Sequence, residues 1–209
     1  VGRKNDKPAR VSYSYDGDIM DKEWLMDGEK YERKNGRANY IEFFDTKLTN
    51  GRKNVKSVEI WFKGEKEHRE NDLPCSIEYH ENGSIKVKVW KRNDEYYIRP
   101  DNQANVIRYY TNQTKKREEW LRKNNEFYRS GDKPSKISYD EKGRLSIEEW
   151  LLGGEEDYFR EDESKAVKIM YAYRDEFVVD GREAKVRESK QQPDIVPQAD
   201  NEDNENRND

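Results

Sequence analysis

The sequence predicts an all-β protein, an elongated antiparallel β-meander of hairpin repeats with a disordered C-terminal tail. Three observations lead to this prediction. A set of residues recurs at intervals of 30 to 36 positions, as it does in proteins built from stacked repeats. Within each copy, apolar and polar residues alternate at the period of a half-buried strand. Charged residues make up 41% of the chain and hydrophobic ones only 32%, which is too little apolar material for a thick core.

The repeat consists of an arginine, a β-branched residue, an aromatic residue and a tryptophan in fixed order. The arginines begin copies one to six and are Arg3, Arg33, Arg69, Arg99, Arg129 and Arg160. The β-branched residues of the first five copies are Val11, Ile41, Ile77, Ile107 and Ile137. The aromatic residues two positions later are Tyr13, Phe43, Tyr79, Tyr109 and Tyr139. The tryptophans are Trp24, Trp61, Trp90, Trp120 and Trp150. Because all of them recur in register, we interpret them as structural residues.

Each copy is predicted to contain a first strand, a turn and a second strand. In copy five, "KISYD" alternates as a strand does, and the turn Lys142-Gly143 follows it. Second strands such as "SIKVKVW" end at the tryptophan, and a second turn follows, for example Asp27-Gly28. Single-layer sheets need side-chain ladders, and we expect stacked Tyr and Trp columns from successive copies to supply them.

The number of strands in each copy has two interpretations. Segments such as "EKYER" and "NEFYR" read as a third strand, or else each copy has two strands and the Arg-to-Pro stretch is a bulge in one long strand. Copies one, three and five carry Asp-x-Pro, whereas Ala38 and Ala104 replace the proline in copies two and four. An odd number of strands would reverse the chain direction with every copy and would explain this alternation. The pattern alone leaves both interpretations open.

The ends of the chain differ from its centre. The repeat array is predicted to span residues 3–175, and copy six, which lacks the tryptophan, is expected to cap it. Residues 176–188 are a capping or transition segment. Residues 189–209 are polar and acidic without periodicity, and we expect them to be disordered. The chain begins with Val1 rather than Met, which leaves open whether further repeats precede it.

Composition limits the classes of partner. Positive and negative side chains are interspersed and the net charge is −4, so no global field favours nucleic acid or anionic lipid. No stretch is long and apolar enough for a membrane span. The single cysteine, Cys75, excludes an internal disulfide framework and favours an intracellular, reducing compartment. The expected partner is a protein, and sheet edges offer a route to homo-oligomers.

The motif Arg-x-x-Asp-x-Pro, followed by Ile-x-Tyr, Asn/Asp-Gly, Glu-x-Trp and a second Asp/Asn-Gly, resembles the MORN-type repeats. It is most similar to the MORN-variant repeats of bacterial antitoxin-like proteins and of repeat families encoded by giant DNA viruses. The resemblance covers residues 3 to about 175. The copies here are longer and poorer in glycine than the standard unit. The resemblance implies an elongated antiparallel β array that serves as a scaffold or protein-binding surface, and it supplies no catalytic residues.

Residues suited to catalysis are few, and we expect a non-enzymatic protein without a cofactor or metal. The two histidines, His68 and His80, do not recur between copies. Cys75 stands where other copies have Ala9, Asn39, Asn105 and Ser135, which favours a small strand residue over a nucleophile. The repeated arginines are expected to form an ion-pair ladder with the glutamates that recur before the tryptophans, namely Glu23, Glu119 and Glu149.

Two regions depart from the repeat and are therefore candidates for protein contact. One is the insertion in copy two, with Thr46, Asn50 and Arg52; the other is a group of aromatic residues expected to be exposed, Tyr96, Tyr97 and Phe127. The function we expect is a scaffold for protein–protein interaction, as a minor structural or assembly component of a large DNA virus particle. The virion is then the expected location. The alternative is an antitoxin or immunity-type protein that neutralises a toxic enzyme, and a lipid-binding adaptor is disfavoured by the charge balance.

Overall fold

The structure is a computed structural model that describes residues 6–33, 35–160 and 164–173, together with the backbone of Asp194–Val196. Its strands form one long antiparallel sheet in which every strand pairs with the next sheet strand along the chain. The predicted all-β meander is therefore confirmed. Arg3 lies outside the described residues, as does the whole of the predicted segment 176–188.

Each of the first five copies contributes two strands to the sheet. The first strands are Arg10–Tyr13, Tyr40–Phe43, Ser76–Tyr79, Val106–Tyr109 and Lys136–Tyr139. The second strands are Ile19–Glu23, Lys56–Ile60, Ile85–Val89, Lys115–Glu119 and Leu145–Glu149. Copy six adds Lys168–Met170, and Asp194–Val196 pairs with that strand. These last three residues belong to the segment 189–209 that the sequence predicts as a disordered tail, and the rest of that segment lies outside the described residues.

The turn between the two strands of a copy sets the register. In all five copies the pairing shifts by one residue beside the turn, as where Tyr13 pairs with Ile19. The turn itself contains a left-handed residue, and in copy one this is Gly17 with φ of 82°. In copy four Gln113 takes this conformation, with φ of 69°. The sequence pattern of these turns therefore predicts both the hairpin and its register.

A short hairpin follows each of the first four tryptophans and lies outside the main sheet. The paired segments are Leu25–Met26 with Glu29–Lys30, Phe62–Lys63 with Lys66–Glu67, Lys91–Arg92 with Glu95–Tyr96, and Leu121–Arg122 with Glu126–Phe127. In copy five a single bridge joins Leu151 to Tyr158. Two 3₁₀ turns, Pro100–Asn102 and Lys123–Asn125, complete the described elements.

These hairpins decide between the two interpretations of the strand count. The sheet receives two strands per copy, and "EKYER" and "NEFYR" contribute to the short hairpins instead. The Arg-to-Pro stretch is a loop that leads from each short hairpin to the next first strand, not a bulge within a strand. Since two strands restore the chain direction, reversal cannot explain the alternation between odd and even copies.

The core is a narrow line at the strand ends, between the sheet and the short hairpins. It contains all five tryptophans, each between 5% and 8% exposed. Asn39 ties the hairpins to the sheet, because its side-chain amide donates to the carbonyls of Tyr31 and Phe62 and its Oδ1 accepts from the Phe62 amide. Asn105 makes the same three contacts in copy four. The low apolar content is thus concentrated in one row rather than in a thick interior.

Within the described part of the chain, the structure contains no helix with the length and apolarity of a membrane span.

Candidate interaction surfaces

Each tryptophan packs against the arginine that begins the following copy. The distances from the guanidinium carbon to the ring centroid lie between 3.6 and 4.0 Å for the pairs Trp24–Arg33, Trp61–Arg69, Trp90–Arg99, Trp120–Arg129 and Trp150–Arg160. Where the sequence led us to expect stacked Tyr and Trp columns, the structure has a separate pair of one ring and one cation at each joint. A guanidinium can lie flat on an indole and still donate hydrogen bonds at its edge.

The edges of the indole rings are also satisfied in four copies. Each Nε1 donates to a main-chain carbonyl of the loop that begins its own copy, at 2.8 to 3.0 Å; the acceptors are Asp6, Gly36, Asp72 and Asn102. Trp150 is the exception, since its Nε1 is buried and has no partner. Copy five therefore departs from the other four at this point.

Three arginines pair with an aspartate of the preceding copy. The Nε–Oδ1 distances are 2.8 Å for Arg33–Asp6, 2.9 Å for Arg99–Asp72 and 2.6 Å for Arg160–Asp132. Arg33 and Arg99 are nearly buried, and each also donates to the carbonyl of a buried alanine, Ala38 or Ala104. The aspartates of the Asp-x-Pro motif thus serve as the acid partners of the next copy.

The partner predicted for these arginines was wrong. Glu23, Glu119 and Glu149 are buried, but they pair with other cations: Glu23 with Arg10 and Lys30, Glu119 with Arg108 and Arg117, and Glu149 with Lys136 and Lys168. The physical reason is the face of the strand. A glutamate directly before a tryptophan points to the opposite side of the sheet from the ring that carries the arginine.

Among the described residues, Arg69 and Arg129 have no carboxylate partner, because Gly36 and Asn102 stand where the other copies have aspartate. Arg69 donates to the carbonyls of Pro74 and Gly36, and Arg129 to that of Pro134. The Arg129 Nε is buried without a partner. Burial lowers the pKa of both guanidinium groups from the usual value. The alternation of the copies is therefore an alternation of arginines with and without an acid.

We expect Asn102→Asp to stabilise the protein by about 0.5–1 kcal/mol, because it offers the Arg129 Nε a charged acceptor. The backbone suits the change, since Asn102 has φ of 54° and Asp72, its counterpart in copy three, has φ of 53°. Urea denaturation would measure the gain. Asn124→Asp, at an exposed turn residue with φ of 68°, is the control for added negative charge and should give no such gain.

Acid should weaken the ladder. Hydrogen bonds from Arg33, Arg99 and Arg160 lower the pKa of Asp6, Asp72 and Asp132, the last to about 2. An unfolded aspartate titrates near pH 3.9, at about its ordinary value. The stabilisation is therefore present above about pH 4 and is lost as pH falls towards the folded pKa values. Unfolding free energies measured from pH 6 to about pH 2 should fall over this window, and Asp132→Asn should reduce the slope.

The insertion of copy two contacts the turns on both sides of it. Thr46 donates to Asp18 at 2.8 Å, and Arg52 donates to the carbonyl of Glu81 at 2.8 Å. Asn50 is exposed and left-handed, with φ of 52°. Thr46 and Arg52 thus have intramolecular roles that the sequence did not indicate, whereas the exposed side chains of Asn50 and Leu48 remain available for contact.

The aromatic group predicted to be exposed is not exposed. Phe127 is only 5% exposed, and its amide and carbonyl both bond to Gly153 of copy five. Tyr97 is half-buried and donates to Asp72 at 2.9 Å, while Tyr96 is half-buried beside Lys91. The prediction failed because the short hairpins pack against their neighbours, which covers side chains that an isolated hairpin would present to water.

Cys75 and the two histidines do not form a catalytic pair in the described contacts. Cys75 is fully buried, and desolvation raises the pKa of its thiol to about 12, so the reactive thiolate is scarce at neutral pH. His68 bonds to Glu70 and Asn93, and His80 to the Tyr109 carbonyl. Among the described residues, no group of three or more His, Cys, Asp or Glu side chains could hold a metal ion.

The repeat tyrosines contact side chains of the copy that precedes their own. Tyr139 donates to Glu118 at 2.6 Å, and Tyr79 donates in the same way to Glu59. Beside the aromatic residues of copies two and four, a lysine of the preceding copy takes the place of the glutamate: Lys22 lies over the Phe43 ring and Lys88 over the Tyr109 ring. Every first strand from copy two onward is therefore covered by a second strand and a charged side chain of the copy before it.

Copy one presents the surface that the other copies cover. Its first strand, Arg10–Tyr13, is at the end of the sheet, and no strand among the described residues pairs with its outer edge. Tyr13 is 60% exposed, and Tyr15 in the adjoining turn is fully exposed. The sequence interpretation missed these residues, because their exposure depends on the position of this strand in the sheet and not on its own residues, which match those of the other copies.

Comparison of the chain with protein-family models, with curated proteins and with solved structures finds no match. The resemblance to MORN-variant repeats therefore stays a prediction from the sequence.

Proposed function

We propose that this chain is a non-enzymatic repeat scaffold that binds a protein partner at its open first strand, Arg10–Tyr13. The observation that carries the proposal is the exposure of Tyr13 at an unpaired sheet edge. A strand at an edge offers a row of backbone donors and acceptors, and a partner that adds a strand there satisfies them. The sheet behind the edge then holds the partner at a set position along the array.

The internal joints of the array indicate what a partner strand would offer. Between copies, a second strand lies antiparallel against a first strand and places a glutamate or lysine against the repeat aromatic residue. A partner strand with a charged residue facing Tyr13 would reproduce this contact.

The test is capture of partners from the native source by the tagged full chain, with cross-linking and mass spectrometry. Tyr13→Lys should abolish capture without loss of stability, because Tyr13 makes few contacts within the chain. Ile98→Lys is the matched control: Ile98 is 63% exposed, lies in copy three and is far from the edge in sequence. Capture that survives Tyr13→Lys, or that Ile98→Lys abolishes equally, would contradict binding at the edge.

The identity of the captured protein distinguishes the specific roles. Abundant coat or assembly proteins would support a structural role in a large DNA virus particle. A single small enzyme at equal stoichiometry would support the antitoxin or immunity alternative instead. Recovery of the chain itself, with mass above that of a monomer in sedimentation, would support homo-oligomers through sheet edges.

A further inference from the structure

The loop that begins copy five differs in conformation from its counterparts. In copies one to four, the residue whose carbonyl accepts the indole hydrogen bond is itself left-handed, with φ between 53° and 63°. In copy five the left-handed residue is Gly131, with φ of 76°, and its neighbour Asp132 is not left-handed. The amide of Lys133 turns back to the Gly131 carbonyl at 2.7 Å. The Asp132 carbonyl therefore does not reach Trp150.

A cavity of about 200 Å³ lies beside Trp150, between this loop and the segment that follows the tryptophan. Its apolar side is formed by Leu151, Leu152 and Phe159, and the loop residues Ser130 to Lys133 form the polar side. The corresponding spaces beside Trp120 and Trp61 measure about 10 and 30 Å³. Copy five thus has room for a ligand where its siblings have room for about one water molecule.

Trp150 is one of the residues that line this cavity. Trp150 is 7% exposed and its Nε1 has no hydrogen-bond partner. In the other copies the same N–H points at the loop, and in copy five the corresponding loop residue, Asp132, lines the cavity. A buried N–H without an acceptor costs free energy, and an occupant that brings an acceptor recovers it.

The charges around the cavity favour an anionic acceptor. Among the described residues that line it, three are cationic, Arg129, Lys133 and Arg160, and one is a carboxylate, Asp132. That carboxylate is already bound by Arg160 at 2.6 Å and by Lys165 at 3.0 Å. Arg129 has no acid partner of its own, and Lys133 is exposed beside it. The described residues around the cavity are therefore more positive than the chain as a whole, whose net charge is −4.

We propose that the cavity beside Trp150 binds a carboxylate attached to a small apolar group. The carboxylate accepts from Trp150 Nε1 in the place of the missing main-chain carbonyl, and the apolar group lies against Leu152 and Phe159. Sites for drug-sized ligands measure about 300–1,000 Å³, so this smaller cavity holds a fragment, either a free small acid or one acidic side chain of a protein.

Benzoate and benzamide are matched probes, because they have the same ring and differ in charge. In NMR spectra of the full chain labelled with ¹⁵N at tryptophan, benzoate should shift one indole N–H signal. That signal is assigned to Trp150 because it disappears in the variant Trp150→Phe. Benzamide should bind at least about tenfold more weakly, as hydrogen bonds to charged groups are the stronger ones. Equal binding of the two probes would overturn the assignment of a carboxylate. If neither benzoate nor benzamide shifts an indole signal, the cavity binds no such ligand and the proposal is overturned.

Two variants test the donors. Trp150→Phe should weaken benzoate binding about tenfold or more by loss of the N–H, while Trp90→Phe, a matched loss in copy three, should leave it unchanged. Lys133→Gln is the second variant in case Trp150→Phe fails to fold. Because Lys133 is exposed, its substitution should leave the fold intact. It should weaken benzoate roughly twofold to fivefold and leave benzamide unaffected. Benzoate binding that neither variant changes would place the ligand elsewhere.

Two further experiments are needed. One tests whether nearby acidic residues affect binding, and the other tests whether the bound carboxylate comes from a free acid or from a protein side chain. Glu161, Asp162 and Glu163 follow Arg160 in sequence, outside the described residues, and their neutralisation to Gln, Asn and Gln should leave benzoate binding as tight or tighter. Loss of binding in this variant would contradict the assignment.

A blocked glutamate, N-acetylglutamic acid α-amide, is the second probe. Tighter binding of it than of benzoate would assign the site to an acidic side chain of a protein, and the reverse to free small acids.

Discussion

Trp90→Ala should lower the free energy of unfolding by about 3–5 kcal/mol, the range for loss of a large aromatic residue from a core. Three contacts disappear together. Trp90 is 6% exposed, its ring carries the Arg99 guanidinium at 3.9 Å, and its Nε1 donates to the Asp72 carbonyl at 3.0 Å. In a single row of buried rings, no second layer can collapse into the space. Urea denaturation monitored by circular dichroism at a β-structure wavelength would measure the loss.

Tyr15→Ala is the control for this experiment, since Tyr15 is fully exposed and should contribute little. Trp90→Phe separates the ring from its N–H, and we expect it to cost less than Trp90→Ala. If Trp90→Ala were no more destabilising than Tyr15→Ala, the tryptophan row would not be the core of this fold.

Asp72→Asn should lower the free energy of unfolding by about 2 kcal/mol, because it leaves the buried Arg99 cation without its counter-charge. Asp72 accepts from Arg99 through both carboxylate oxygens, at 2.9 and 2.8 Å, and from the Tyr97 hydroxyl at 2.9 Å. Asn keeps the shape and tolerates φ of 53°. The expected loss is below that of a fully buried pair, because the Asp72 side chain is 25% exposed.

The structure offers a reciprocal control for this change. Asn102→Asp introduces into copy four the acid that Asp72→Asn removes from copy three, so the two substitutions should act with opposite sign. Thermal and urea unfolding of both variants and of the double variant would check this. Destabilisation by both would show that the position responds to substitution itself rather than to the pairing of a guanidinium with an acid.

Much of the architecture could be predicted from the sequence because its determinants are local. Alternation at a period of two predicts strands, and Gly17, Gly83 and Gly143 mark the tight turns that set the register within each copy. The spacing of the tryptophans predicts identical copies that stack in order. Cys75 was predicted to be a small strand residue from the residues at its equivalent positions; it is fully buried and lies one residue before the strand Ser76–Tyr79.

The candidate surfaces were predicted less well because they depend on which copies touch. The sequence predicts Phe127 as an exposed hairpin residue, but in the structure its backbone is hydrogen-bonded to Gly153 of the next copy. Likewise, the aspartate partner of Arg99 comes from 27 positions earlier, whereas the sequence interpretation favoured a glutamate next to a tryptophan. Tyr13 has the same sequence role as Tyr79 and Tyr139 but an uncovered position.

The sequence by itself determined that this protein is a row of β-hairpins with a tryptophan and an arginine in each joint, because strand period, turn residues and repeat spacing are properties of neighbouring residues. Only the tertiary structure decided which acid pairs with each arginine, which aromatic side chains are covered and where copy five opens a cavity beside Trp150. These features arise where one copy lies against the next, and a one-residue change in loop conformation, as at Gly131 and Asp132, is enough to alter them.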